Sequence, residues 1–96
     1  KGETAIMMAL THHLRITYNI PFEQQALLMS GLCQRLVIEF VPKSDPQVQK
    51  LLAHREDIYT DFTENKFHRV FSKQFKNHIR YPIVDSQRVI YLYESF

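Results

Sequence analysis

Residues 5–14 read Ala-Ile-Met-Met-Ala-Leu-Thr-His-His-Leu, and the fold of the whole chain turns on them. Ala5 to Leu10 run without a polar interruption, polarity switches at Thr11, and two adjacent histidines, His12 and His13, follow. A short continuous apolar run suits a strand buried on both faces, and such strands belong to parallel sheets with helices above and below. In open parallel sheets, ligands bind beyond the carboxyl ends of the strands. A strand that ends in Thr-His-His therefore delivers polar side chains to the edge where chemistry is usually done.

Working outward, His12 to Tyr18 has room for a turn or two of helix before Asn19 and Pro21 interrupt it. From Pro21, a residue suited to the first helical turn, Phe22, Ala26, Met29 and Cys33 recur at spacings of three and four. Leu28 and Leu32 flank them, so the spacing predicts a helix over 21–34 with one broad apolar face. Gly31 lies inside it, where it weakens the helix but allows close packing on a sheet. Leu36 to Val41 is β-branched and aromatic, a strand pattern stopped by Pro42. Glu39 is its one charge, and a carboxylate in a buried strand is costly unless hydrogen-bonded or near water.

Ser44-Asp45-Pro46 reads as an N-cap with proline at the first helical position, opening a short helix that ends near His54. Residues 55–62 read as a loop. Thr63 is the next N-cap, and Phe67, Val70, Phe71 and Phe75 form the apolar stripe of a helix over 64–75. The period then changes to two. Residues 78–84 and 88–94 alternate as strands around the polar link Asp85-Ser86-Gln87, a spacing that allows only an antiparallel hairpin. The order is strand, helix, strand, helices, hairpin, which implies parallel pairing with right-handed crossovers and a final strand running against the others.

Ninety-six residues make one domain, and an apolar fraction of 45% with twelve aromatics supports a real core. A net charge of +2 with dispersed basic residues gives no strong case for nucleic acid or anionic membrane. No apolar run is long enough to span a membrane. The single cysteine, Cys33, excludes an internal disulfide and a Cys-rich zinc site, and it fits a cytoplasmic, reducing location. The start, Lys1-Gly2-Glu3, only faintly mimics a signal peptide. Because the chain reaches an apolar strand almost at once and does not begin with methionine, the expectation is the C-terminal part of something longer.

This order of elements resembles the C-terminal half of a class I S-adenosylmethionine-dependent methyltransferase, whose seventh strand is antiparallel and slots between the sixth and the fifth. Ala5–Leu10 would be the fourth strand, Leu36–Val41 the fifth, and the terminal hairpin the sixth and seventh. Ala9-Leu10-Thr11-His12-His13-Leu14 is similar to the Ala-Leu-x-His-His-Leu segment after that fourth strand. Glu39-Phe40-Val41-Pro42 with Asp45-Pro46-Gln47, and the helix after Thr63, resemble a bacterial branch sometimes labelled nodulation-related. The resemblance implies an α/β fold: the C-terminal half of a Rossmann-like sheet, two parallel strands with helices plus a terminal antiparallel hairpin, forming a single partial domain over 1–96.

It also implies S-adenosylmethionine as cofactor of the parent protein and an unidentified methyl acceptor as its partner. Ala9, Leu10 and Thr11 would line the cofactor, and simple strand-end packing is the alternative. His12, His13 and Glu39 would face the acceptor, a histidine as base or orienting group. The alternatives are that one histidine caps the following helix while the other packs, and that Glu39 bonds a backbone or histidine partner. Adjacent histidines should not point the same way, and a vicinal pair without a third ligand is a poor metal site. His54, Arg55, His68 and Lys73 read as solvated surface. The only glycines, Gly2 and Gly31, are not in a Gly-x-Gly context, so the Gly-rich cofactor loop is missing and the fragment alone is expected to be inactive. An apolar first strand without its neighbour would drive self-association. The rival reading is a non-catalytic α/β interaction module. A nucleic-acid-binding module resting on residues 76–81 is weaker.

Overall fold

The computed structural model describes residues 3–96; the readings of Lys1 and Gly2 fall outside them. Strands β1 (Thr4–Met7), β2 (Arg35–Phe40), β3 (Phe75–Pro82) and β4 (Val89–Ser95) form one mixed sheet in the order β1-β2-β4-β3. β1 and β2 are parallel, while β4 is antiparallel both to β2 and to β3. The hairpin therefore folds back so that its second strand, not its first, joins β2. Among the described residues four helices complete this α/β fold: α1 (Thr11–Ile16), α2 (Phe22–Leu32), α3 (Pro46–Leu52) and α4 (Glu64–Gln74).

The core lies between one sheet face and helices α2 and α4. Alternation sends Leu36, Ile38 and Phe40 of β2 and Val89, Tyr91 and Tyr93 of β4 to that face, where all are buried. Phe67 of α4 sits among Phe22, Phe40, Phe71 and Tyr91, with ring centroids 4.6–5.5 Å apart. One side chain thus joins two helices to two strands. Phe62 and Tyr59 of the 55–62 loop are also buried, and the Tyr59 hydroxyl donates to the Ile16 carbonyl at 3.1 Å.

Both expected caps form. The Asp45 carboxylate accepts from the Gln47 amide at 2.9 Å with Pro46 in the first turn, and the Thr63 hydroxyl accepts from the Lys66 amide at 3.2 Å. Pro21 stands one position earlier than expected, as the extended N-cap of α2.

Other expectations are corrected. The first strand stops at Met7 because Ala9 turns to φ 54°, a left-handed conformation that no strand continues through. It is not buried on both faces, since β1 is an edge strand and Ile6 is 69% exposed. On α2 only the Phe22, Gln25 and Ala26 side is buried; Leu28 and Leu32 face outward. Gly31 permits no close approach, because a Cβ there would meet nothing within 4 Å. The last helix ends at Gln74 and passes straight into β3 at Phe75, with no linking loop. His68 is not solvated surface. It stacks on Tyr91, touches the His78 ring and shares a 2.9 Å hydrogen bond with the Tyr93 hydroxyl.

Candidate functional site

Polar groups converge at the carboxyl ends of the parallel pair. β1 ends at Met7 beside Ile38, and the chain then turns across the end of β2 through residues 8–10. Left-handed backbone at a residue with a Cβ is held only where surrounding contacts fix it. At this turn the contact is explicit: the Ala9 amide donates to Glu39 Oε1 at 2.7 Å. Glu39 is buried, yet its carboxylate has this amide and a guanidinium to meet, so the charge of β2 is compensated.

The guanidinium belongs to Arg88, which immediately precedes β4. Because β4 runs against β2, its start lies at the end of β2, with Val89 opposite Phe40. Arg88 Nη1 is 3.7 Å from Glu39 Oε1. Its Nε and Nη2 donate to the two Asp45 oxygens at 2.8 and 3.1 Å, a two-pronged bond. Asp45 also caps α3, so one arginine ties together β2, the start of α3 and the hairpin. The guanidinium holds the Asp45 carboxyl below the usual carboxylate range, and Asp45 in turn raises Arg88. Beside this bond a cleft of about 430 Å³ opens between residues 44–46 and the 85–87 turn.

His12 and His13 lie within α1, whose N-cap is Leu10 with no side-chain bond, so neither histidine caps it. Side chains of adjacent helical residues leave the axis about 100° apart. These two rings nevertheless turn toward each other, with centroids 4.4 Å apart, so they do form a contacting pair. His12 is 1% exposed, and neither of its ring nitrogens has a hydrogen-bond partner among the described residues. Burial, then His13 and Arg88, push its pKa down to about 4, against a smaller opposing effect of Asp45. At neutral pH His12 is therefore an uncharged imidazole. It is too weak a base to match pH 7, but it can donate one hydrogen bond and accept another.

The expected cofactor-lining segment divides. Ala9 and Leu10 are exposed on the loop. Thr11 is fully buried; its hydroxyl donates to Gln25 Oε1, and Gln25 Nε2 donates to the Ile20 carbonyl at 3.0 Å. Thr11 thus ties α1 to α2 through a buried side chain. Among the described residues no group of three or more His, Cys, Asp or Glu side chains is arranged to hold a metal ion. Among them also, no helix is long and apolar enough to cross a membrane. Cys33 is buried, its Sγ 3.2 Å from the Met29 carbonyl.

The sequence singled out His12, His13 and Glu39 here but not Arg88 or Gln25, and Asp45 only as a cap. Arg88 is one cation before an apolar strand, a common pattern. Its place follows only from the antiparallel insertion of β4.

Comparison with known proteins adds one similarity. The chain is 33% identical over 93 residues to nodulation protein NoeA of Rhizobium meliloti (strain 1021). The matched region is 97% of this chain but 20% of that protein, so the chain spans about one fifth of its relative. No family model matches. No solved structure matches.

Proposed function

We propose that this chain forms one wall of a methyl-transfer site in an S-adenosylmethionine-dependent methyltransferase, the rest of the pocket being built by other residues of a longer protein. The observation that carries the reading is the strand order, with the last, antiparallel strand inserted between β2 and the first strand of the hairpin. This is the order in which the resembling enzymes arrange their fourth, fifth, seventh and sixth strands. The similarity to a nodulation protein supports a role in the same process as that relative.

The residues at the strand ends suit a partial cofactor wall. Ala9 and Leu10 would present the exposed edge to S-adenosylmethionine, and Glu39 would act as a positioning residue by holding the Ala9 turn. The cofactor, when bound, supplies an electrophilic methyl group. The half-buried His13 imidazole would orient an acceptor hydroxyl or amine by hydrogen bonding, with the buried His12 ring packed behind it. The protein's contribution is then chiefly alignment of acceptor and methyl. Two glycines outside any Gly-x-Gly context leave the chain without a phosphate- or ribose-type cradle of its own, so the 96-residue chain by itself is inactive in this reading.

Titrating S-adenosylmethionine into the isotope-labelled chain tests it. Weak binding with amide shifts concentrated at Ala9, Leu10, His12 and His13 is the expected result. Shifts confined to other regions overturn the assignment of this edge. Micromolar affinity by calorimetry overturns the claim that the wall is partial.

The second reading, a non-catalytic interaction module, is favoured by a different observation: an apolar sheet face left open on the side away from α2 and α4. It predicts no shifts at the Ala9–His13 edge and a stable association through that face.

A further inference from the structure

The histidines of the strand-end site stand on a helix too short to hold itself. α1 has six residues and no side-chain cap at its start. Isolated helices shorter than about 12–15 residues are marginal in water, and the last carbonyls of any helix lack an internal partner. Thr11 ties the first turn of α1 to α2. The last turn is tied elsewhere, by the irregular segment 55–62.

Three side chains make that second tie. Arg15 Nε and Nη2 donate to the Asp61 carboxylate at 3.0–3.2 Å, and the guanidinium carbon lies 4.8 Å over the Tyr59 ring centre. The Ile16 carbonyl, in the last turn, accepts from the Tyr59 hydroxyl at 3.1 Å and from Arg55 Nη1 at 3.4 Å. The Arg15–Asp61 pair is largely buried, its side chains 12% and 28% exposed, so breaking it costs more than breaking a surface pair. Buried Tyr59 and Phe62 anchor the segment, and Lys43, just beyond β2, donates to both Asp57 oxygens at 3.0 Å.

We propose that residues 55–62 form a strap that sets the position of α1, and that Arg15 is the positioning residue through which it holds His12 and His13 at the strand ends. Thr11 and Arg15 are four residues apart, about one helical turn, so the two ties together fix the rotation of α1 about its axis. That rotation decides that His12 is buried and His13 half-buried. With the strap released, α1 opens as a local unit while the sheet stays folded. These contacts carry the inference; the methyl-transfer reading supplies only a use for the histidines.

His12 reports the opening. In the closed helix burial holds its pKa down to about 4, and the titratable and charged groups around it are His13, Arg88 and Asp45. β2, packed beside α1, brings Glu39, whose charge is met by the Ala9 amide and Arg88. In an opened helix His12 returns to its ordinary 6.5. An opened fraction of about 3% then raises the observed midpoint by about one pH unit.

Proton NMR titration of the His12 ring in the 96-residue chain measures this. The parent midpoint is expected near pH 4. Arg15→Gln should raise it by about one pH unit, while the Ile38 and Leu92 amides of the sheet keep their folded positions. Asp61→Asn should act likewise, and the double variant should add little to either change, since both break one bond. Tyr59→Phe removes a single hydroxyl and should give a smaller rise of the same sign; it decides the matter where Arg15→Gln loses the fold. An unchanged midpoint overturns the proposal. So does a rise in which the Ile38 and Leu92 amides are lost at the same pH, because the strap then supports the whole chain and not α1. No S-adenosylmethionine enters this titration, so its outcome is separate from that of the cofactor titration.

Discussion

At the scale of single residues, a buried histidine at the strand ends makes the stability of the molecule depend on pH. His12 takes its proton only near pH 4 in the folded state, against an ordinary value of 6.5. Between those values the unfolded chain binds the extra proton, so stability is intact above about pH 6.5 and falls as pH drops toward 4, levelling off below. The whole window corresponds to about 3 kcal/mol. Urea unfolding of the parent and of His12→Gln at a series of pH values should show the parent losing about that much more between pH 6.5 and 4. Parallel curves would mean that His12 is solvated. Glu39 makes a second case, because its roles as acceptor and as charge can be separated. Glu39→Gln keeps an oxygen for the Ala9 amide and loses only the attraction to Arg88, so a cost of about 1 kcal/mol is expected. Glu39→Ala strands the amide and leaves the left-handed turn unsupported, and should cost about 3 kcal/mol. Equal losses in denaturant unfolding would contradict the bond to Ala9.

At the scale of elements, the caps and stripes were open to reading because they are local. Asp45-Pro46 and Thr63-Glu64 name their helix starts by side-chain chemistry alone, and the Phe67–Phe75 stripe names its buried side. What could not be read depends on which neighbour an element meets. Leu28 and Leu32 look like core by spacing, yet α2 buries only its Phe22 and Ala26 side. His68 looks like surface by type, yet the hairpin folds over it and brings Tyr91 and Tyr93 against its ring. Gly31 looks like a packing residue, yet it faces open space. Gly31→Ala should therefore raise stability by about 1 kcal/mol, through helix propensity and a less flexible unfolded chain, as read by the urea midpoint. A loss instead would mean that α2 is covered there. Asp45 tests the site in the same way. Asn caps a helix about as well as Asp, so Asp45→Asn keeps α3 but breaks the link to Arg88. A loss of about 1–2 kcal/mol with unchanged helix content is expected, since the pair is largely buried. An unchanged midpoint would reduce Asp45 to a cap.

At the scale of the whole molecule, strand order is the most informative feature and also the least local. Two β-rich segments near the end announced a hairpin, but nothing in their residues says that the second strand inserts beside β2. That placement, observed in the sheet, is what carries Arg88 to Glu39 and Asp45 and so assembles the polar edge. It also fixes where stability resides. One sheet face is open, so the core rests on the other face, and there the aromatic cluster around Phe67 connects α2, β2, α4 and β4. Domains of this size are stabilised by roughly 5–10 kcal/mol, and a chain with a single covered sheet face belongs at the low end. Removing a fully buried phenylalanine costs about 3–5 kcal/mol, which is of the same order as the total. Phe67→Ala should therefore abolish the cooperative thermal transition and collapse amide dispersion, although it touches no residue of the polar edge. Phe67→Leu, which keeps most of the volume, should lower the melting temperature and retain a single transition. If Phe67→Ala still melts cooperatively, the four elements are not held through one core, and the site at the strand ends rests on a support other than this cluster.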